Sequence, residues 1–154
     1  MAGKIESKLA DMGFTLPEAL APAGNYVPYV QVGELVFVSG QVPKAEDGLI
    51  TGKLGDDMSI EQGQAAARLC ALHLLGQIKA ACNGDLDRLV KVVKLGGFVN
   101  ATPDFGDHPA VINGASDLFG ELLGEAGRHA RAAVGSSSLP FGVAVEIEGI
   151  FQVR

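Results

Sequence analysis

The 154 residues predict a layered α/β or α+β domain, with helices on one face of a mostly antiparallel or mixed sheet. Segments of helical period alternate with β-branched apolar runs along the chain. A hydrophobic fraction of 47% supplies one core, and the length is short for two ordinary domains.

Ile5, Leu9 and Met12, at spacings of four and three, predict a short amphipathic helix over residues 3–13, ended by Gly13. Pro17, Pro22, Gly24 and Pro28 then mark an extended connection. The run Leu35 to Val42, LVFVSGQV, follows Gly33 and reads as a buried strand. Asp47-Gly48 and Gly52 offer turn geometry around Leu49 to Thr51, so this segment reads as a loop or irregular hairpin. Ser59 and Gln62 form a capping-box pattern, and Ala66, Leu69, Cys70, His73, Leu74 and Ile78 continue it as a helix over 59–81, stopped by Asn83-Gly84. Leu89 to Leu95 suit a strand, with a bulge or close backbone approach at Gly96-Gly97. Pro109 opens a second amphipathic helix over 109–124.

Two strands close the chain. In RAAVG, Arg131 and Ala133 share one face and Ala132 and Val134 the other. In VAVEIEGIFQV, Val143, Val145, Ile147, Phe151 and Val153 share one face, and Ala144, Glu146, Glu148, Ile150 and Gln152 the other. That second face mixes two carboxylates with Ile150, which suits partial cover by a neighbouring chain. Pairing between these last two strands would bring Arg131 toward Glu146.

A formal charge of -6 gives no broad basic field for phosphate backbones, so nucleic acid is not the expected partner. Cys70 and Cys82 fall in one predicted helix, about 18 Å apart along its axis, which suits reduced thiols in the cytoplasm. No apolar leader and no membrane-length apolar run is read, so no membrane association is expected. His73, His108 and His129 lack paired metal-ligand spacing, and none of the 21 glycines falls in a nucleotide-binding pattern, so neither a metal nor a cofactor is expected. His73 reads as a core or interface histidine, and His129, which stands beside Arg131, as a packing residue.

Arg128 and Arg131 are surface charges on spacing alone. Arg131 differs in chemistry, because a planar guanidinium beside the small Ala132 and Ala133 can present a two-pronged donor to a carboxylate. Glu146 is read equally as its ion-pair partner or as an acid/base group.

The pieces NYVPY, LVFVSGQVP, VINGASDLF, HARAAV and LPFGVAVEIE, in that order, resemble the Rid (YjgF-like, reactive intermediate deaminase) family, also labelled endoribonuclease L-PSP, over residues 22–154. Residues 1–21 form an N-terminal helical extension of the kind found in longer, less characterised branches. The resemblance implies an α+β, chorismate-mutase-like fold: a mixed sheet with two main helices on one face, assembled as a homotrimer with pockets between subunits. It also implies cofactor-free hydrolysis of 2-imino or enamine acids, such as 2-aminoacrylate, to 2-keto acids and ammonia. On matching positions Arg131 clamps the substrate carboxylate with help from the Ala133 backbone N–H, and Glu146 positions the attacking water. Ser39 and Gly40 line the pocket, Tyr26 covers the ligand, and Asn113 lies close by. Ala133 stands where the family often has cysteine, which rules out thiol chemistry there, and the longer segment from Lys44 to Asp57 reshapes the pocket mouth. The competing readings are a regulatory trimer that binds a keto acid or amino acid without turnover, and an endoribonuclease or translation inhibitor.

Overall fold

The capping box read at Ser59 closes in both directions. The Ser59 hydroxyl accepts from the Gln62 N–H at 3.1 Å, and the Gln62 side chain accepts from the Ser59 N–H at 2.9 Å. From this start the longest helix, α2, runs over Ile60–Ala81 and buries one continuous side, including Ala66, Cys70, Leu74 and Ile78. The computed structural model describes residues 2–154. The other helices are α1, Lys4–Asp11, and α3, His108–Leu123. Five strands form the main sheet: β1 Tyr29–Val32, β2 Leu35–Gln41, β5 Leu89–Asn100, β6 Ala130–Ser136 and β7 Val145–Val153. A small separate hairpin pairs β3, Lys44–Ala45, with β4, Gly48–Leu49.

The sheet order is β1-β2-β7-β5-β6, antiparallel throughout except for the parallel pair β5 and β6. It is the mixed sheet expected, with α2 and α3 on one face. Alternate residues of the strands, among them Val36, Val38, Leu95, Val99, Val145, Ile147 and Phe151, join the two helices in one core. The other face stays open. There Val30, Val32, Leu35 and Phe37 are between 37% and 62% exposed.

Residues 2–21 dock onto the same core. The Asp87 carboxylate takes the N–H groups of Lys4 and Ile5 at 2.9 and 3.0 Å, and Leu9 is fully buried. Further along, buried Gln77 donates to the Leu20 carbonyl at 2.8 Å, which fixes the segment leading out of α1.

Two expectations need correction, and one open alternative is resolved. The connection after Pro22 contains a strand, β1, whose exposed residues carry no burial signal. Gly96 and Gly97 do not bulge; the irregularities fall between Leu89 and Lys91 and between Val92 and Lys94. The glycines serve close approach instead, because a Cβ at Gly97 would stand 2.7 Å from Ile112 of α3 and one at Gly96 would stand 3.0 Å from Glu148. Finally, β6 does not pair with the last strand. A parallel neighbour requires a crossover, and α3 supplies it, so β6 returns beside β5 and ends as the sheet's edge.

Candidate functional site

Within one chain this topology separates Arg131 from Glu146. Arg131 is level with Leu95, a core residue, so its side chain lies on the helix-bearing face. Glu146 is level with Phe98 and alternates with the buried Val145 and Ile147, so it lies on the open face.

At the first end, α3 meets the guanidinium with one stripe. Pro109, Asn113 and Ser116 follow one another at intervals of four and three, which places them on one side of the helix. Arg131 Nη1 donates to Asn113 Oδ1 at 2.8 Å and to Ser116 Oγ at 3.1 Å, and Nη2 donates to the Pro109 carbonyl at 3.4 Å. A guanidinium has five N–H groups. Three are thus occupied, and Nε–H and one Nη2–H remain without a partner among the described residues. Two glycines let α3 come this close: a Cβ at Gly97 would strike Ile112, and one at Gly114 would stand 2.1 Å from the Gln64 carbonyl of α2.

The backbone of β6 adds a donor. The Ser136 carbonyl accepts from Ala101 N–H on the β5 side, so alternation along the strand turns the N–H of Ala133 off the free edge. Arg128, by contrast, is a surface charge, its side chain 76% exposed and 4.0 Å from Glu125. His129 joins the Arg131 cluster through Ser116, at 2.8 Å from Oγ.

At the second end, Glu146 lies in a cavity of about 300 Å³ walled by the segment Leu20 to Gly24 and by Tyr26, Pro28, Gly40, Gln41 and Phe141. Gly40 leaves this carboxylate its room, because a Cβ would stand 3.0 Å from Glu146 Cδ. Ser39 stands just outside this lining; its hydroxyl donates to the Val27 carbonyl at 2.8 Å and so fixes the chain next to Tyr26. The Tyr26 hydroxyl accepts from the Ala23 N–H at 3.1 Å. Burial in these largely apolar walls, and secondarily the charge of Glu148, raise the pKa of Glu146 above the ordinary carboxylate range.

Sequence reasoning missed Phe141 and Ser116. Phe141 is 66% exposed and held at φ +61°, a conformation costly for a bulky residue and concentrated at functional positions. Its only trace in the sequence is its place between Pro140 and Gly142. Ser116 could have been found one turn beyond Asn113 on the same helical stripe. His73 behaves as a core histidine, with Nε2 2.8 Å from the Lys44 carbonyl. Among the described residues no three His, Cys, Asp or Glu side chains gather to hold a metal ion, and no helix is long and apolar enough to cross a membrane.

Comparison with known proteins agrees with this architecture. A family model described as "YjgF/chorismate mutase-like, putative endoribonuclease" matches residues 6–147. Protein TCP17 of Trypanosoma cruzi is 49% identical over 99% of this chain and 96% of its own. A 2-iminobutanoate/2-iminopropanoate deaminase of Dermatophagoides farinae is 29% identical over 90% of this chain and 93% of its own. Among solved structures, Agrobacterium tumefaciens Atu1372, of unknown function, superposes with a TM-score of 0.91 at 49% identity, covering 97% of this chain and 92% of that one. Escherichia coli TdcF with bound serine does so with a TM-score of 0.62 at 28% identity, covering 89% and 94%. With nearly the whole chain matched and the sheet and helices in place, this protein belongs to the YjgF/chorismate mutase-like family.

Proposed function

We propose that this protein hydrolyses 2-imino or enamine acids to 2-keto acids and ammonia, in homotrimers whose pockets lie between subunits. The observation that carries the reading is the state of Arg131. Three acceptors of α3 fix its guanidinium, and two N–H groups are left over, the number a carboxylate can accept side by side. Ala133 N–H at the open edge is a third donor for the same anion. Asn113 holds the clamp from behind.

Glu146 complements this as base. Its raised pKa makes it a stronger proton acceptor than an exposed carboxylate. It takes a proton from water as the oxygen bonds to the imine carbon. The C=N electron pair moves to nitrogen, which gains a proton, and the resulting carbinolamine expels ammonia as its hydroxyl becomes the keto oxygen. Tyr26 and Gly40 bound the space around this reaction, and no cofactor enters the balance.

The same geometry supports assembly. A small acid cannot touch Arg131 and Glu146 of one chain, since they lie on opposite faces with β5 between their strands. A second copy against the free edge of β6 can supply the missing half. The exposed Val30, Val32, Leu35 and Phe37 of the open face favour such cover.

The test generates 2-iminopropanoate or 2-iminobutanoate in place with an amino-acid oxidase and follows keto-acid formation with and without the protein. Acceleration is expected. Glu146→Gln should lose turnover while still binding 2-ketobutyrate, because glutamine keeps the shape but takes no proton from water. Solution mass should be three times 15.9 kDa. Binding without any acceleration would assign the pocket to sensing, and a 15.9 kDa monomer would remove the shared pocket.

A further inference from the structure

Ser116 connects Arg131 to a histidine. Its hydroxyl stands 3.1 Å from Arg131 Nη1 and 2.8 Å from His129 Nε2, and on the far side of the imidazole Nδ1 stands 2.7 Å from the Gly127 carbonyl. The bonds at the two ends of this chain are fixed by what each group can do. A guanidinium only donates and a carbonyl only accepts, so Ser116 Oγ accepts from Arg131 and His129 Nδ1 carries a proton for Gly127. With Nε2 bare, the hydroxyl donates its one proton there and each of these donors has a partner; with Nε2 protonated, Oγ accepts from two cations and its own proton has no partner among the described residues. The arrangement is satisfied only by a neutral imidazole.

The surroundings favour the neutral form. His129 is half-buried, with its ring edge-on to Phe119 at 6.2 Å between centroids. Arg131 faces it from β6 and Lys91 from β5, the lysine ammonium being held by the carbonyls of Glu125 and Arg128. Asp117, Glu121 and Arg128 ring the mouth of the adjoining depression. Burial above all lowers the pKa of His129, the bond to Gly127 opposes this, and the two cations reinforce it.

We propose that Ser116 and His129 are positioning residues for Arg131: neutral His129 accepts the Ser116 proton, the lone pairs of Oγ are left to Nη1, and the guanidinium is locked with its two remaining N–H groups turned toward a carboxylate. The inference rests on the reading of Arg131 as the carboxylate clamp. It makes a prediction opposite in sign to simple electrostatics. Protonating His129 adds a positive charge near the clamp, which by Coulomb attraction alone would tighten the binding of an anion. In the proposed arrangement the new Nε2–H competes with Nη1 for the lone pairs of Oγ, the Ser116 proton loses its acceptor, and the bond to Nη1 weakens, so affinity falls.

The experiment measures 2-ketobutyrate binding calorimetrically from pH 5 to 8 for wild type, Ser116→Ala, Ser116→Thr and Arg131→Ala. At pH 8, Ser116→Ala should bind about 3–10-fold more weakly, the equivalent of one hydrogen bond, and the threonine hydroxyl should restore affinity. Wild type and Ser116→Thr should lose affinity on acidification through the titration of His129, whereas Ser116→Ala should not. Nitrogen-15 spectra of the ligand-free protein at pH 8 should show His129 as the Nδ1–H tautomer. Wild-type affinity that rises or stays level on acidification, a Ser116→Ala protein indistinguishable from wild type, or the Nε2–H tautomer would each overturn the proposal. Binding by Arg131→Ala equal to wild type would instead overturn the carboxylate clamp itself.

Discussion

The guanidinium of Arg131 meets three acceptors on α3, whereas the carboxylate of Glu146 accepts no hydrogen bond from the described residues and faces apolar walls. The two ends of the proposed site are therefore prepared in opposite ways. A clamp works by being in place before the ligand arrives, and saturating one side of Arg131 lowers the entropic cost of binding on the other. A base works by wanting a proton, and an unpaired, partly desolvated carboxylate wants one more than a solvated carboxylate does. In the proposed reaction, rigid polar support and under-solvation act from two faces of one sheet.

Breaking the clamp should have the largest effect. Arg131→Ala removes a charge-assisted pair worth about 2–5 kcal/mol, which corresponds to at least roughly thirty-fold weaker 2-ketobutyrate binding. Arg131→Lys should recover only part of this, because an ammonium keeps the charge and loses the fork. Arg128→Ala, on a solvated side chain, should leave affinity unchanged. Circular dichroism and solution mass on each variant check that the fold and assembly persist; full affinity in a folded Arg131→Ala protein would dissolve the contrast.

Disturbing the base without touching the clamp comes next. A methyl at Gly40 would stand 3.0 Å from Glu146 Cδ, so Gly40→Ala pushes the carboxylate off its place. Turnover of the imine should fall by about 10–100-fold, the loss expected from a displacement on the ångström scale, while keto-acid affinity at Arg131 changes little. Steady-state kinetics beside calorimetry separates the two. Equal losses in both would mean that the two ends are not independent.

The clamp can also be disturbed through its support. Gly114→Ala places a methyl 2.1 Å from the Gln64 carbonyl, which forces α3 away from α2 and carries Asn113 and Ser116 with it. Overpacking of this kind costs about 1–3 kcal/mol, to be read from denaturant midpoints. Keto-acid binding should weaken in the same variant.

How much of this was legible follows from what each signal depends on. Strand β2, helices α2 and α3 and the alternation of β7 were legible, because caps and periodicity are local. Strand β1 was not, since Tyr29–Val32 leaves three of its four residues exposed. The glycines at 96 and 97 announced a special backbone, and only the packing of Ile112 shows which kind. The pairing of Arg131 toward Glu146 failed for a reason the sequence did contain. A strand, a helix and a strand in succession read as a parallel crossover, and β5, α3 and β6 are one. Once β6 lies beside β5, the i, i+4, i+7 stripe of α3 necessarily passes over Arg131. The side-chain roles at that crossing depend on distances that no spacing encodes.

The smallest effect sharpens the Glu146 end. Its pKa is raised in the fold, first by burial and then by Glu148, so the native state binds a proton more readily than the unfolded chain does. The ionised side chain is therefore a liability to stability above the folded pKa, and the liability disappears below the ordinary carboxylate range, where both states are protonated. Glu146→Gln removes the charge and keeps the shape. The variant should melt slightly above wild type at pH 7 to 8, and the gap should close as the pH falls through the raised pKa toward 4. Arg131→Gln should show no such gain, because three of its N–H groups are held by Asn113, Ser116 and Pro109 and its removal leaves those acceptors short of donors. Paired melting curves across this pH range decide between the two behaviours. A Glu146→Gln protein less stable than wild type at pH 8 would mean that the carboxylate is held by favourable contacts after all, and is a structural partner in place of a base kept in reserve.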